Sequence, residues 1–167
     1  MEQRYIKVGL AFTVGMLAGL WAINNLLNWG TAQGAVAYAL SQENQSGYST
    51  RIIPPITSSF AATVGLLLII LTEATAGVLA LFGAGRMWAQ RNAETAAFAA
   101  AKQFAILGTG IAVLNWFLGF FVIGGTMIMM GQAEGMEGAI RGAIAMATLS
   151  FLTLIYLSMS EPPRTAN

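Results

Sequence analysis

Glu73 is the residue of this sequence most suited to chemistry, because it is the single charged side chain in a long apolar run. Residues 56–82 contain no other charged side chain. A carboxylate at the centre of a membrane helix costs roughly 2.5–3.5 kcal/mol on insertion scales, so such residues are rare and usually face other helices. Glu73 could accept a proton in a carrier or relay, or it could form a hydrogen bond that holds two helices together.

Depth along the helices points to a partner for Glu73. Glu73 lies about ten residues, or roughly 15 Å, from one end of its run, and Asn115 lies about eleven residues into the next run. Consecutive spans run antiparallel and tend to be neighbours, so the two side chains reach nearly equal depth. We therefore predict a hydrogen bond between Glu73 and Asn115. Further candidate partners of this pair are Thr72, Thr75, Thr148 and Trp116.

The chemistry around Glu73 favours packing over proton transfer. Apolar surroundings disfavour the charged form of a carboxyl group, so we expect Glu73 to be neutral and able to donate a hydrogen bond. Such a bond between helices contributes about 0.6 kcal/mol and rarely more than 2. A relay needs a chain of titratable groups, and no second carboxylate or histidine occurs in an apolar run.

The composition predicts a membrane protein and excludes several classes of function. The chain has 167 residues, of which 56% are hydrophobic and 9% charged, whereas soluble domains have about 25% charged residues. The net charge of +1 argues against a nucleic-acid partner. Aspartate, cysteine and histidine are absent, which removes disulfides, imidazole catalysis and most metal sites. We expect no enzymatic activity, no catalytic residue, no cofactor and no metal.

Four apolar runs are each long enough to cross a bilayer, which takes about 20 residues. They cover residues 6–27, 56–82, 104–130 and 139–159. The connections between them, led by the polar outer loop 28–55, are too short to fold alone. The predicted fold class is therefore all-α: a single transmembrane domain over residues 1–167, built as an integral membrane four-helix bundle.

The placement of lysine and arginine predicts the orientation of this bundle. Six of the eight lie in the two tails and the second connection: Arg4, Lys7, Arg86, Arg91, Lys102 and Arg164. The other two, Arg51 and Arg141, lie on the opposite side. Because positive residues concentrate in the cytoplasm, we expect both termini there and the loop 28–55 outside.

Small residues recur at helical spacing and predict close helix contacts, since packing rather than hydrophobicity joins helices in lipid. The predicted helix-packing glycines are Gly15, Gly19, Gly65, Gly77, Gly108, Gly119, Gly138 and Gly142. These rows of small residues could hold the four helices of one chain together, and one row could also bind a partner protein. Both readings can hold together.

Polar and aromatic residues near the ends of the runs predict contacts with the membrane surface. At the outer end these are Asn24, Asn25, Asn28 and Trp29. At the cytoplasmic end they are Arg86, Trp88, Arg91 and Lys102. The alanine-rich segment 93–101 favours a helical extension of the third span into the cytoplasm, and residues 35–40 could form a short surface helix.

The order of motifs resembles a bacterial family of predicted small integral membrane proteins of unknown function. The segments that carry the resemblance are AINNLLNWG at 22–30, GAGR at 83–86, FAAAK at 98–102, NWFLG at 115–119, VIGG at 122–125 and GAIR at 138–141, together with Glu73. The resemblance implies a four-helix protein of the bacterial inner membrane and supplies no catalytic residue. The family pattern has an acidic residue at Asn28, a histidine near 37–41 and Glu-Trp at Thr126-Met127, so in this chain neutral or apolar residues replace these groups near the outer face.

These observations lead to a functional prediction with an alternative. We predict a non-catalytic accessory or scaffold subunit that packs against a larger, energy-transducing membrane complex. The alternative is an autonomous small transporter or proton-coupled carrier that uses Glu73, although the two halves show no internal repeat. A third hypothesis is a quinone- or lipid-binding enzyme component, although the absence of histidine and aspartate makes catalysis hard to build. The expected partners are the lipid bilayer, other membrane subunits and a second copy of the chain.

Overall fold

The computed structural model describes residues 2–43, 45 and 50–161. Over these residues the chain is helical, with six α-helices, one π-helical segment and one 3₁₀ turn. They are α1 (Glu2–Leu27), α2 (Trp29–Ser41), α3 (Ser59–Ala89), α4 (Thr95–Ala101), α5 (Gln103–Leu114), the π-helical segment (Asn115–Met127), the 3₁₀ turn (Met130–Gln132) and α6 (Glu137–Ser158).

Four helical stretches of the described chain are long and apolar enough to cross a membrane, which confirms the predicted four spans. They are Glu2–Leu27, Ser59–Ala89, Thr95–Met127 and Glu137–Ser158. The second begins later than predicted because the side chain of Ser58 caps it, accepting a hydrogen bond from the backbone of Ala61 at 3.4 Å. The third includes α4, in agreement with the helical extension predicted over residues 93–101.

The first connection differs from the prediction, because much of it is the helix α2 rather than a polar loop. Helical backbone hydrogen bonds continue across the junction with α1, from Asn28 to Asn24 at 3.0 Å and from Ala32 to Asn28 at 2.9 Å. The polar Gln33 is typical of a loop in the sequence, yet its side chain donates a hydrogen bond to Thr63 of α3 at 2.6 Å. Contact with α3 therefore stabilises a helix that has little amphipathic pattern of its own.

Glycines bring α3 into backbone contact with both of its neighbours. A Cβ atom added at Gly77 would lie 2.8 Å from the backbone nitrogen of Gly19 in α1. On the other side of α3, a Cβ atom at Gly83 would lie 2.1 Å from the nitrogen of Ala105 in α5. Gly108 of α5 lies nearly as close to α3, with its added Cβ atom 2.4 Å from the nitrogen of Ala80. Only residues without a side chain permit such approaches.

The other predicted packing glycines divide into two groups. Gly15 and Gly65 have close neighbours, since their added Cβ atoms would lie 2.7 Å from Leu81 and 3.2 Å from Val36 respectively. Cβ atoms at Gly119 and Gly138 would meet nothing within 4 Å, and one at Gly142 would touch only its own helix, at Met146. Gly83, which makes the closest approach of all, was not among the predicted packing residues.

The apolar core forms three clusters along the bundle. The first surrounds the buried side chains of Met87, Phe98 and Leu157. The second surrounds Trp116, and the third joins Leu66 of α3 to the α1–α2 junction. Core contacts therefore extend from one end of α3 to the other.

The third span changes its winding part of the way along. From Asn115 to Met127 the chain is π-helical, and the backbone of Ile128 donates to Ile123, five residues earlier, at 2.9 Å. The helix ends at Met127, and two residues later Met129 has a left-handed φ of 61°. Gln45 from the first connection donates to the carbonyl of Ile128 at 2.9 Å, which ties that connection to the end of the third span.

The N-terminal end of the first helix and the C-terminal end of the last helix meet at one end of the bundle. Lys7 of α1 contacts Glu161, which lies three residues beyond α6. This is the arrangement expected for four spans in an up-and-down order. Which side of the membrane this end faces stays a prediction, and Arg164, used in that prediction, lies outside the described residues.

Candidate functional site

Four polar side chains form a layer across the bundle, here called the polar layer: the buried Glu73 and Asn115 and the half-buried Asn25 and Thr72. Glu73 of α3 is only 2% exposed, and its Oε2 atom accepts a hydrogen bond from Asn25 Nδ2 of α1 at 2.9 Å. One residue earlier, Thr72 Oγ1 lies 2.8 Å from Asn115 Oδ1 at the start of the π-helical segment. The layer therefore links α3 to its neighbours on two sides.

The predicted hydrogen bond between Glu73 and Asn115 is wrong, although the predicted depth agrees with the contact made by Thr72. Successive residues of a helix point about 100° apart, so when Thr72 faces Asn115 the next side chain faces elsewhere. Glu73 faces α1, and Asn25 takes the place expected for Asn115. Thr72, a further candidate partner, is the residue that meets Asn115. Thr75 instead donates to Leu71 of its own helix at 2.7 Å.

The amide of Asn115 has unused hydrogen-bonding capacity. Its Nδ2 atom is buried and has no hydrogen-bond partner among the described residues. The Thr72 hydroxyl has one hydrogen for three nearby acceptors, because the carbonyls of Leu68 and Ile69 lie at 2.8 and 2.9 Å. If the amide of Asn115 is turned over, Nδ2 donates to Thr72 while Thr72 donates to Leu68. Turning the Asn115 amide over therefore gives its Nδ2 atom a hydrogen-bond partner and leaves the packing of the side chains unchanged.

The outer-end residues divide between the polar layer and the surface. Asn25 was predicted to anchor at the membrane surface, but it is half-buried and bonds Glu73. Asn24 and Asn28 are exposed and bond each other, with Asn28 Nδ2 donating to Asn24 Oδ1 at 2.9 Å. Trp29 is half-buried against the core cluster around Leu66. Depth in the sequence did not separate these roles, because they depend on which side of α1 faces α3.

Three charged side chains form a second buried group, here called the ionic cluster: Lys7, Lys102 and Glu161. Glu161 Oε1 accepts hydrogen bonds from Lys7 Nζ at 2.5 Å and from Lys102 Nζ at 3.2 Å. The side chains of all three are at most 5% exposed. Burial by itself would raise the pKa of Glu161, but the hydrogen bonds and charges of the two lysines outweigh it and hold that pKa below its usual value.

The ionic cluster carries more positive than negative charge. Two ammonium groups share one carboxylate, and both also donate to the carbonyl of Met159, at 2.7 and 2.8 Å. Lys7 lies 5.3 Å from the ring centre of Tyr156, close enough for a cation–π contact. Glu161 Oε2 has no hydrogen-bond partner among the residues that the structure describes. The cluster therefore has a spare acceptor atom and an excess charge of +1.

The sequence pattern does not predict the ionic cluster. Lys102 was predicted to lie at the cytoplasmic interface and Lys7 in a tail, but both are buried, and Glu161 was not singled out. A signal was available, because charged residues are rare in this chain and these three were all predicted on one side of the membrane. Buried charges are normally paired, so each of them called for a partner.

Two of the cations predicted at the cytoplasmic interface, Arg86 and Arg91, lie against aromatic rings at this end of the bundle. The guanidinium group of Arg86 lies 5.3 Å from the ring centre of Phe104, and that of Arg91 lies 4.3 Å from that of Trp88. Trp88 also meets Tyr5 edge-on, with the ring centres 5.8 Å apart. Contact of these residues with lipid stays a prediction.

Arg4 differs from these cations because it is buried and forms hydrogen bonds to backbone carbonyls in addition to its contact with an aromatic ring. Its Nη1 atom donates to the carbonyls of Arg91 and Ala93, at 3.1 and 2.6 Å, in the connection that follows α3. Its guanidinium group also lies 4.7 Å from the ring centre of Phe98. Arg4 thereby fixes the connection between α3 and α4 onto α1.

Neither the polar layer nor the ionic cluster resembles a metal centre or a large ligand cavity. Among the described residues, no group of three or more acidic, histidine or cysteine side chains could hold a metal ion. One groove, of about 300 Å³, is lined by Ala37, Tyr38, Ser41, Glu43 and Thr57. It shares no residue with the polar layer or the ionic cluster. What these two groups can do is fix helices, hold a proton or bind a small charged group.

Comparison with known proteins identifies a family. Residues 3–160 match the model of a family described as "Predicted small integral membrane protein (DUF2165)". No curated protein and no solved structure matches the chain. The match spans α1 to the residues just beyond α6, and thus all four candidate spans, in agreement with the resemblance drawn from the motifs. The chain therefore belongs to this family of predicted small integral membrane proteins.

Proposed function

We propose that this protein is a non-catalytic accessory or scaffold subunit of a larger, energy-transducing complex in the bacterial inner membrane. The observation that carries the proposal is the burial of the Glu73 side chain in the contact between α1 and α3. The carboxyl group bonds Asn25 beside the glycine contact of Gly19 with Gly77, and it does not line the groove at Tyr38. A carboxyl group held in this way stabilises helices, whereas a carrier must expose its site to each side in turn.

Unused small-residue surface supports the docking part of the proposal. Among the described residues, a Cβ atom added at Gly119 or Gly138 would meet nothing within 4 Å, and one at Gly142 would touch only Met146 of its own helix. Gly138 is also exposed. In lipid, such positions allow the backbone of a second helix to approach closely. We place the contact with partner subunits on α6 and the π-helical segment, and a second copy of this chain is the other candidate occupant.

The distribution of basic residues supports an orientation with both termini in the cytoplasm. Lys7 and Lys102 meet at the end of the bundle where the first and last helices converge. Arg51 belongs to the connection at the far end, where it donates to Gln42 at 2.7 Å. Since lysine and arginine concentrate on the cytoplasmic side, the end that holds the ionic cluster is the one we assign to the cytoplasm.

The size of the native particle tests the proposed role. The protein is extracted from its own membranes in a mild detergent, and the particle is sized and its composition determined. We expect co-migration with a larger complex in fixed stoichiometry. A lone monomer or a small homo-oligomer would remove the accessory role.

The polar layer favours one alternative, a carrier that uses Glu73. Its four side chains include a buried carboxyl group and an amide with an unused donor, which together could hold and release a proton. A Glu73→Gln variant keeps the shape but cannot titrate. If the carrier reading holds, this variant folds normally but abolishes proton flux in vesicles, whereas the exposed control Glu137→Gln retains it. Unchanged flux or function in Glu73→Gln refutes the carrier reading.

A further inference from the structure

We propose that Lys7 and Lys102 form a binding site for a phosphomonoester group, and that the carboxylate of Glu161 covers this site in the present structure. The inference goes beyond the scaffold role and does not depend on it. It rests on three observations about the ionic cluster: the origin of its charges, their imbalance and their position in the bundle.

The two lysines belong to the bundle itself, whereas the carboxylate belongs to the segment that follows it. Lys7 projects from α1, and Lys102 lies at the junction of α4 and α5. Their ammonium groups converge on one oxygen atom of Glu161, which lies beyond the last residue of α6, Ser158. Moving residues 159–161 away from the bundle would expose the cationic site without separating any of the four long helices.

The carboxylate matches the site incompletely. Two ammonium groups have six N–H donors, of which the described contacts use four, on Met159 and Glu161. One carboxylate neutralises one of the two charges, and its Oε2 atom contacts no donor. A phosphomonoester carries a charge of about −1.5 to −2 and three acceptor oxygens, which fit two ammonium groups in both charge and number of acceptors.

The position of the site favours a ligand at the membrane surface. Arg86, Arg91 and Trp88 lie at the same end of the bundle, in the cation–aromatic contacts typical of the headgroup region. A phosphate group at that depth belongs either to an anionic lipid headgroup or to a free phosphate compound in solution. The two sources share the chemistry that the lysines recognise, and the experiment separates them.

Glu161 acts as a tethered competitor for the ligand. A group joined to its site by a few residues of the same chain has an effective concentration on the order of millimolar there. Replacing Glu161 by glutamine removes this competition and leaves both lysine charges unpaired. We therefore expect Glu161→Gln to bind the phosphomonoester roughly tenfold or more tightly than the unmodified protein does.

The experiment measures ligand-induced shifts of the thermal unfolding midpoint with purified full-length protein in detergent micelles. Three additives are compared, namely phosphatidic acid, phosphatidylcholine and inorganic phosphate. The variants are Glu161→Gln, the double variant Glu161→Gln/Lys102→Gln and the control Glu137→Gln, whose carboxylate is exposed and pairs with Arg141 at 2.9 Å. If Glu161→Gln does not fold, Glu161→Asp replaces it, because a shorter side chain covers the site less well.

A larger shift with phosphatidic acid in Glu161→Gln than in the unmodified protein, absent with phosphatidylcholine and lost in the double variant, supports the proposal with a lipid as the source. The same pattern with inorganic phosphate as well supports a soluble phosphate source. The control should behave as the unmodified protein. The proposal is overturned if Glu161→Gln gains no response to either phosphate compound, or if its response survives the loss of Lys102.

Discussion

Replacement of Gly83 by alanine should force α3 and α5 apart. The added Cβ atom would lie 2.1 Å from the backbone nitrogen of Ala105 and 2.6 Å from its Cα atom, whereas ordinary contacts begin at 3.4 Å. The obstacle is backbone and cannot rotate away, so the helices must separate by about 1.3 Å at this point. A gap of 0.5–1 Å already forfeits about a quarter to a half of each contact energy nearby.

The expected cost follows from this displacement. Overpacking of a closely packed core costs about 1–3 kcal/mol, and because the obstacle is the backbone of Ala105, we place Gly83→Ala at the upper end of that range. Alanine recovers up to about 1 kcal/mol of helix propensity. We therefore expect a net loss of about 2 kcal/mol in the free energy of unfolding, which corresponds to roughly thirtyfold more unfolded protein at equilibrium.

Gly85 provides a matched control on the same helix. A Cβ atom there meets nothing within 4 Å, so Gly85→Ala should be neutral or slightly stabilising. Both variants are compared with the unmodified protein by equilibrium unfolding in mixed detergent micelles, monitored by circular dichroism. If Gly83→Ala is as stable as Gly85→Ala, the close α3–α5 contact and the reasoning built on it are refuted.

Three further predictions concern the polar layer and the ionic cluster. Glu161→Gln leaves two buried ammonium groups without a counter-charge and should cost about 3–5 kcal/mol in unfolding experiments, while the exposed Glu137→Gln should cost less than about 1. Because its pKa is lowered in the folded protein, Glu161 stabilises the fold at neutral pH, and this contribution should fall as the pH drops below about 4.3 and vanish below the folded pKa. Thermal midpoints of the unmodified protein should therefore fall with acid more steeply than those of Glu161→Gln, and parallel curves would contradict this. Asn25→Ala removes the partner of Glu73 and should cost about 0.6–1.7 kcal/mol, whereas Asn24→Ala, at an exposed position, should change stability by less than about 0.5.

The sequence predicted the four spans because length and hydropathy decide which segments enter a membrane. It also predicted nearly equal depth for Glu73 and Asn115, because depth follows from counting residues along antiparallel helices, and the contact of Asn115 with the adjacent Thr72 agrees with that depth. It did not predict the direction of Glu73, because direction around a helix depends on which neighbour lies on each side. That choice is made by close contacts such as Gly77 on Gly19, which pair α3 with α1.

Two other features were hidden for different reasons. The helix α2 carries little amphipathic signal, and it forms because Gln33 and Val36 meet α3, a tertiary effect that local pattern does not record. The ionic cluster joins residues 154 positions apart, Lys7 and Glu161, and no short-range motif connects them. Lysines near span ends resemble surface anchors in a sequence, and only packing shows that these two are buried.

The distance along the chain between Lys7 and Glu161 also sets an order of events during biosynthesis. A ribosome adds about 5–20 residues per second, so on the order of 10 s or more separates the emergence of the lysine from that of its carboxylate. Through that interval α1 is in the membrane without its counter-charge, and Lys7 must reach toward the aqueous interface by extending its side chain. Withdrawal of both ammonium groups into the protein therefore follows translation of residue 161. The last helix and the three residues after it complete the assembly, and a nascent chain halted before that point retains two solvated lysines at its membrane surface.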